Sequence, residues 1–264
     1  MQAIKGIEDE LATRQMTLLV QVVGSPEEEI ATHRRWQADR HVVGVIVADL
    51  TPDDPRLVAL RDGGLPAVVM VKPEFAPGFA TISTDNEATM ADAVSYLVGK
   101  GHRSIGRVSG PPTFLHSRLR SEAFAAAGIA HGVETDNVEA DYSAERGAAA
   151  TADLLERGAA HPTAIIYDND VMALSGLDTI TGRGLRVPED VAILAWDDSV
   201  HCELATPPLS AIAHDVVAYG RAIAHVLLDV LDGVADASAT ATPPRIVERG
   251  STAFVRQPAD SAAR

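Results

Sequence analysis

The sequence holds one cysteine, Cys202, so no disulfide can close within the chain, and no motif of a cysteine nucleophile surrounds it. It is short of cations: 22 Lys and Arg stand against 37 Asp and Glu, a formal charge of −15. Nucleic-acid affinity comes largely from neutralising phosphates, so a surface of this sign repels a duplex. No apolar run approaches the ~20 residues of a membrane span, and no signal-type apolar segment precedes a cleavage site. A soluble, unexported, cytoplasmic chain is the expectation. There is no GxSxG, no P-loop and no HExxH, so neither catalysis nor a cofactor is expected. Asp168, Asp170, Asp197 and Asp198 could be imagined as an oxygen-ligand cluster for a metal. Asp170 and Asp198, however, have simple helix-start explanations, and no His or Glu stands at ligand spacing, so no metal is expected.

With 264 residues and 46% apolar content, the chain can bury one large core or two smaller ones. Short apolar runs alternate with segments of helical period, which predicts βαβ units and a parallel sheet. Candidate strands are 17–23, 42–48, 66–71, 104–108, 163–167 and 191–196. Candidate helices are 26–38, 54–62, 86–100, 115–127, 143–157, 169–182 and 215–233. Residues 235–242 (ADASATAT) read as a loop. The αβ runs before and after about Ser83 suggest two similar lobes. Helix 215–233, out of order with the second run, could return to the first, giving several chain crossings with a ligand held between the lobes. The expected division is 1–83 plus 215–240 and 84–214 plus 241–264. The chain opens in a helical stretch (Ile4, Gly6, Ile7, Leu11) with no strand ahead of it. A doubly wound lobe normally starts with a central strand, so the first strand of the first lobe is expected to be absent or supplied from elsewhere.

Six stretches, in one order along the chain, carry a resemblance. Gly101-His102-Arg103-Ser104-Ile105-Gly106 is similar to a GHRxIG approach to a strand, and Gly184-Leu185-Arg186-Val187-Pro188-Glu189-Asp190-Val191 to a GLRVPEDV turn. Asn169-Asp170 with Ala173 resembles an NDxxA helix start. Trp196-Asp197-Asp198 stands where an aromatic is followed by Asp and then Asp or Asn. Thr206-Pro207-Pro208-Leu209-Ser210 and Glu248-Arg249-Gly250-Ser251-Thr252-Ala253 resemble a PPLTT approach to a strand and a terminal RxSTA strand. Together they resemble the regulatory core of the LacI/GalR family. The resemblance implies an α/β fold of two doubly wound parallel-sheet lobes joined by a multi-strand hinge, periplasmic-binding-protein-like. It also implies an effector-binding domain of a sugar-responsive transcriptional repressor, its ligand in the inter-lobe cleft and coupled to operator affinity. The partners implied are a sugar or sugar derivative, a second copy in a homodimer, and operator DNA through an N-terminal headpiece outside these residues. The competing reading, a solute-binding protein of a sugar transporter, shares the fold; the missing signal segment and the regulator-like stretches weigh against it.

Sugars present paired hydroxyls and an apolar C–H face, which planar forks and aromatic rings recognise. The resemblance places Arg120, four residues before Phe124, on effector oxygens, and Tyr142 on the ligand's apolar face. Asp197 ends a strand, where open α/β sheets put ligand-binding groups. Asn169 could both cap its helix and touch ligand. Phe114 and His116 match pocket-facing loop positions, and His214 a lobe crossing where hinge packing competes with ligand contact. Asp168 replaces a small residue, Trp196 a Phe or Tyr, and Ala195 a Gly. The added acceptor and indole N–H argue for a ligand unlike that of any relative.

Overall fold

The computed structural model of the chain describes residues 2–157, 161–234 and 236–253. In chain order the first elements are α1 (Gln2–Leu11), α2 (Pro26–Ala38), β1 (Val45–Val47), α3 (Pro55–Gly63), β2 (Ala67–Val69) and β3 (Ala80–Ser83). There follow α4 (Asn86–Gly99), β4 (Ser104–Ser109), α5 (Leu115–His131), β5 (Glu134–Glu139), α6 (Ala144–Leu155) and β6 (Ala164–Tyr167). The last are α7 (Asp170–Gly182), β7 (Ala192–Trp196), α8 (Val200–Leu204), β8 (Ser210–Ala213), α9 (Val216–Leu231), β9 (Ser238–Thr240) and β10 (Arg245–Val247). Helix starts are chemically marked. Ser25, Asp54, Ser143, Asn169 and Asp215 each accept a backbone N–H of the first turn, and prolines open α2 and α3.

The chain divides into two units, Met1–Asp85 with Phe114–His116 and Asp215–Pro243, and Asn86–Thr113 with Ser117–His214 and Pro244–Arg264. The first unit carries a parallel sheet in the order β1-β2-β3-β9. Side chains alternate along its strands: Val45, Val47, Ala67 and Val69 face Leu57 and Leu60 of α3, while Ile46, Val68 and Ile82 face α1 and α9. Against that second face α1 crosses α9 with Gly6 and Gly220 in contact with each other's helix backbone.

The second unit's sheet has the order β10-β8-β7-β6-β4-β5, parallel except for β10. The same alternation holds here. Ile165, Tyr167, Ile193 and Ala195 pack towards α6 and α7; Ala164, Ile166, Leu194 and Trp196 pack towards α4 and α5. Burial on both faces is why these strands read as unbroken apolar runs. The terminal segment is sewn to this sheet by hydroxyls. Ser251 Oγ accepts from Ser210 N–H (2.8 Å) and donates to the Ile193 carbonyl (2.7 Å), and Thr252 Oγ1 lies 2.6 Å from the hydroxyls of Ser210 and Tyr96.

Three expectations fail. Gly250–Thr252, in the terminal stretch expected as a strand, form a short 3-10 helix tied to β7 and β8 through the Ser251 hydroxyl. Residues 17–23 form no strand: no strand among the described residues pairs with them, and Leu19, Val20 and Val22 stand exposed, Val22 at 93%. Strand propensity needs a hydrogen-bonded neighbour to become a strand. Conversely, residues 238–240, within the stretch read as a loop, pair with β3 as β9. Their small polar side chains carry no period-2 signal, and register with Thr81–Ser83 decides their conformation.

Candidate functional site

In the second unit β4 is the first strand of its winding, with β5 on one side and β6 on the other. The chain therefore turns in opposite directions from β4 and leaves a crevice outside the carboxyl ends of β4 and β6, the place where open α/β sheets bind ligands. The segments leaving the strand ends here are Gly110 after β4, Tyr142 after β5, Asp168 and Asn169 after β6, Asp197 after β7 and His214 after β8. Arg120 joins them from α5. Seven of the nine sequence-derived candidates thus lie in this unit, on or beside one edge of its sheet.

Arg120 sets its guanidinium 3.7 Å from the centre of the Trp196 ring and donates from Nε to Asn86 Oδ1 (2.7 Å). Burial lowers its pKa, against the pull of Asp168, Tyr142 and Asp197; an arginine stays charged regardless. The fork is a desolvated cation, 12% exposed at its side chain, whose Nη1 lies 4.0 Å from Asp168 Oδ2. Trp196 is 2% exposed. Its ring is the platform for Arg120, with His214 tilted against it at 6.2 Å. Burial, then Arg120, pushes the His214 pKa down, so the imidazole is neutral near pH 7.

Asp168 was expected to add an acceptor to the pocket. The structure engages that acceptor internally. Asp168 is 2% exposed, and its carboxylate takes both Nε (2.9 Å) and Nη2 (2.6 Å) of Arg107 and the N–H of Gly110 (3.1 Å). Arg107, fully buried in β4, is the residue the sequence reading missed. Its signal was available: a charge inside an otherwise apolar run implies a buried partner. Asn169 is likewise engaged at both ends. Its Oδ1 caps α7 at Met172 N–H (2.8 Å) and its Nδ2 donates to the Tyr142 carbonyl (3.0 Å).

Tyr142 and Asp197 both have left-handed backbones, φ 70° and 71°. Glycine takes this region freely, whereas other residues meet a cost of about 1 kcal/mol or more, a strain that collects at functional sites. Tyr142 is half-buried, with its ring laid so closely on Gly110 that a β-carbon there would overlap it. Asp197 is exposed, and no hydrogen bond from a described residue engages its carboxylate. Even so, burial raises its pKa, Arg120 opposes the shift, and Asp170 and Asp168 add to it. The two observations differ in reach. A solute touches the side chain's open surface, while the charge feels the protein mass and carboxylates further off. Neighbouring Asp198 is occupied by both Nη atoms of Arg249 (2.7 and 2.9 Å), which explains the Arg249-containing terminal motif.

Phe114 and His116 fall in the first unit. They stack on each other (5.5 Å, 13°), and His116 Nδ1 lies 3.8 Å from Asp49 Oδ1. Asp49, at φ 51° just beyond β1, was not singled out from the sequence. Leu115 between them is buried and donates its N–H to the Leu50 carbonyl (2.9 Å), fixing this short segment on that unit. Among the described residues no group of three or more His, Cys, Asp or Glu is disposed to hold a metal ion.

The second unit therefore presents one desolvated guanidinium, one accessible carboxylate and one strained tyrosine at a switch point, a set suited to a polyhydroxylated solute. Comparison with known proteins bears on the family. A model of the periplasmic binding protein-like domain matches residues 94–252. The chain is 32% identical over 217 residues to the HTH-type transcriptional regulator CelR of Thermobifida fusca, 80% of this chain and 62% of that protein. Thus it spans less than two thirds of this curated relative's length. A solved LacI family transcriptional regulator from Bifidobacterium animalis subsp. lactis superposes with a TM-score of 0.92 at 33% identity, covering 97% of this chain and 94% of that one. A solved complex of a regulator CelR with cellobiose superposes with a TM-score of 0.84 at 28% identity, covering 95% and 78%.

Proposed function

Because this chain belongs to the LacI family of transcriptional regulators, we propose that it is the effector-sensing portion of a sugar-responsive repressor. The observation that carries the reading is that Arg120 and Asp197, each within reach of the other's charge, lie at the carboxyl-end side of the second unit's sheet. A fork of donors and a carboxylate acceptor match vicinal hydroxyls, and Tyr142 offers a face for C–H groups. A relative of this family is solved with cellobiose, so neutral disaccharides head the candidates. On this reading the effector binds one state of the regulator better than another, and only that difference shifts operator affinity. Operator contact belongs to a helix-turn-helix segment, and a two-fold operator calls for a homodimer acting in the cytoplasm. No described helix is long and apolar enough to cross a membrane.

A thermal-shift panel of cellobiose, maltose, glucose, sugar acids and polyols tests the proposal, since a solute bound to the folded state raises the melting temperature. A raised midpoint with at least one sugar is the expected result. No response to any of them would remove the sugar reading.

The carboxylate gives binding a pH dependence. A sugar hydroxyl donates to ionised Asp197, so binding favours the deprotonated form. Because the folded-state pKa is raised, affinity begins to fall at a higher pH than an unshifted aspartate would give. Below that pKa it drops by about tenfold per pH unit. Calorimetric titrations from pH 7 downwards should show the decline in the wild type and none of it in Asp197→Asn. A pH-independent wild type would take Asp197 out of the site.

These 264 residues alone, at −15, should give no salt-sensitive DNA binding near physiological ionic strength. Fluorescence anisotropy with a labelled duplex checks this, and a salt-dependent rise in anisotropy would move the DNA contact into this chain.

A further inference from the structure

We propose that Arg107 is a positioning residue that holds the effector-binding arginine, Arg120, in place through Asp168 and helix α5; this rests on the site proposed above. Arg107 is 0% exposed and uses its whole fork. Nε and Nη2 grip the two oxygens of Asp168; Nη1 donates to Ser121 Oγ (2.7 Å) and Asn137 Oδ1 (3.2 Å), and Nη2 reaches the Ser117 carbonyl at 3.5 Å. Ser117 and Ser121 bracket Arg120 on α5, and Asn137 sits directly across from Arg107 in the β4–β5 register. One side chain therefore ties the carboxyl ends of β4 and β6 to the turn of helix that carries Arg120.

The second half of the device is Asp168. Its Oδ2 faces Arg107 Nη2, the Gly110 N–H and, at 4.0 Å, Arg120 Nη1. One buried carboxylate thus stands between two buried guanidinium groups. If Arg107 let go of Asp168, the carboxylate would be drawn to Arg120, lifting it from the Trp196 ring and away from the open side of the site. Gly110 would also lose the bond that fixes it, and Tyr142 lies directly on Gly110. A charge buried at this depth is usually neutral or harmful to stability when compared with an apolar pair of similar volume. Geometry, rather than stability, is what the pair supplies here.

The test separates those two contributions. Arg120 sits over an indole, so its Nε–H proton should resonate upfield in a 1H–15N spectrum, assigned by its loss in Arg120→Lys. The double variant Arg107→Met, Asp168→Leu removes both charges together and should melt within a few degrees of the wild type. In it the upfield Arg120 signal should shift, because Ser117 and Ser121 lose the Arg107 fork that fixes their turn of α5. Arg107→Lys keeps the charge and loses the fork, and should shift the same signal even if the double variant does not fold. An unchanged Arg120 resonance in the folded variants would overturn the proposal, whatever sugar the protein binds. Titration with cellobiose and maltose then reads function: for a sugar bound by the wild type, about a tenfold weaker affinity in Arg107→Lys is expected. Unchanged affinity there, with Arg120→Ala strongly impaired, would overturn this inference alone. Unchanged affinity in Arg120→Ala would instead overturn the site itself.

Discussion

Arg120→Ala and Asp197→Asn are each expected to weaken effector binding by about tenfold to a hundredfold, the consequence of removing one partner from a charged hydrogen bond. The two should differ in every other respect. Arg120 is held by Asn86 and lies on Trp196, so its loss leaves a platform bare and should lower stability somewhat. Asp197 is exposed, and no hydrogen bond from a described residue engages its carboxylate. Its pKa is raised by burial and by Asp170 and Asp168. A carboxylate whose folded-state pKa exceeds its unfolded value works against folding at every pH above that range. Neutralising it should therefore leave the melting midpoint equal or slightly higher while binding collapses. Such a trade between stability and function marks a residue held for its ligand. Tyr142→Ala should be milder, costing stacking worth about 1 kcal/mol and stranding no charge. Calorimetry on the three variants, with the sugar found by thermal shift, decides the matter. If neither Arg120→Ala nor Asp197→Asn changes affinity, the pocket lies elsewhere.

How far the sequence could carry this depended on the kind of signal. Strands β6 and β7 were legible because both of their faces are buried, so apolarity persists at every position. The helices were legible from period and caps: Ser25, Ser143 and Asn169 stand where their chemistry is needed. β5 and β9 were not legible. Glu134–Glu139 is a polar run that becomes a strand only by parallel register with β4, and Ser238–Thr240 needs β3. Among the site residues, local reasoning reached those that project from strand ends. It could not tell an open acceptor from an occupied one. Asp168 and Asp197 read alike in sequence, yet Asp168 meets Arg107 sixty-one positions away while Asp197 faces solvent. The distinction lies in the pairing of β4 with β6, which no local pattern encodes.

A comparable long-range pairing carries the second large effect: Gly220→Ala should destabilise the protein by about 3 kcal/mol, at the upper end of overpacking costs, lowering the melting midpoint by roughly 10 °C. Intrinsic propensity predicts the opposite sign, since alanine in a helix interior is favoured over glycine by about 1 kcal/mol. Packing reverses it. A β-carbon on Gly220 would overlap the backbone carbonyl oxygen of Ala3 and lie 3.1 Å from the Ile7 nitrogen; one on Gly6 would overlap the Val217 carbonyl oxygen. Both obstacles are backbone, so no rotamer change relieves them, and α1 must move off α9. Ile7 and Leu11 would then lose contact with Ile223, Ala224 and Leu227, the core beneath the β1–β3 sheet. Gly6 could be seen between apolar neighbours in the sequence, but its partner stands more than two hundred residues away. Gly99→Ala supplies the contrast. Gly99 ends α4, and a β-carbon there would meet nothing within 4 Å, so propensity should govern and stability should hold or rise slightly. Thermal unfolding of the two variants checks the argument in one experiment, and a Gly220→Ala protein as stable as Gly99→Ala would mean the two helices are not held backbone to backbone.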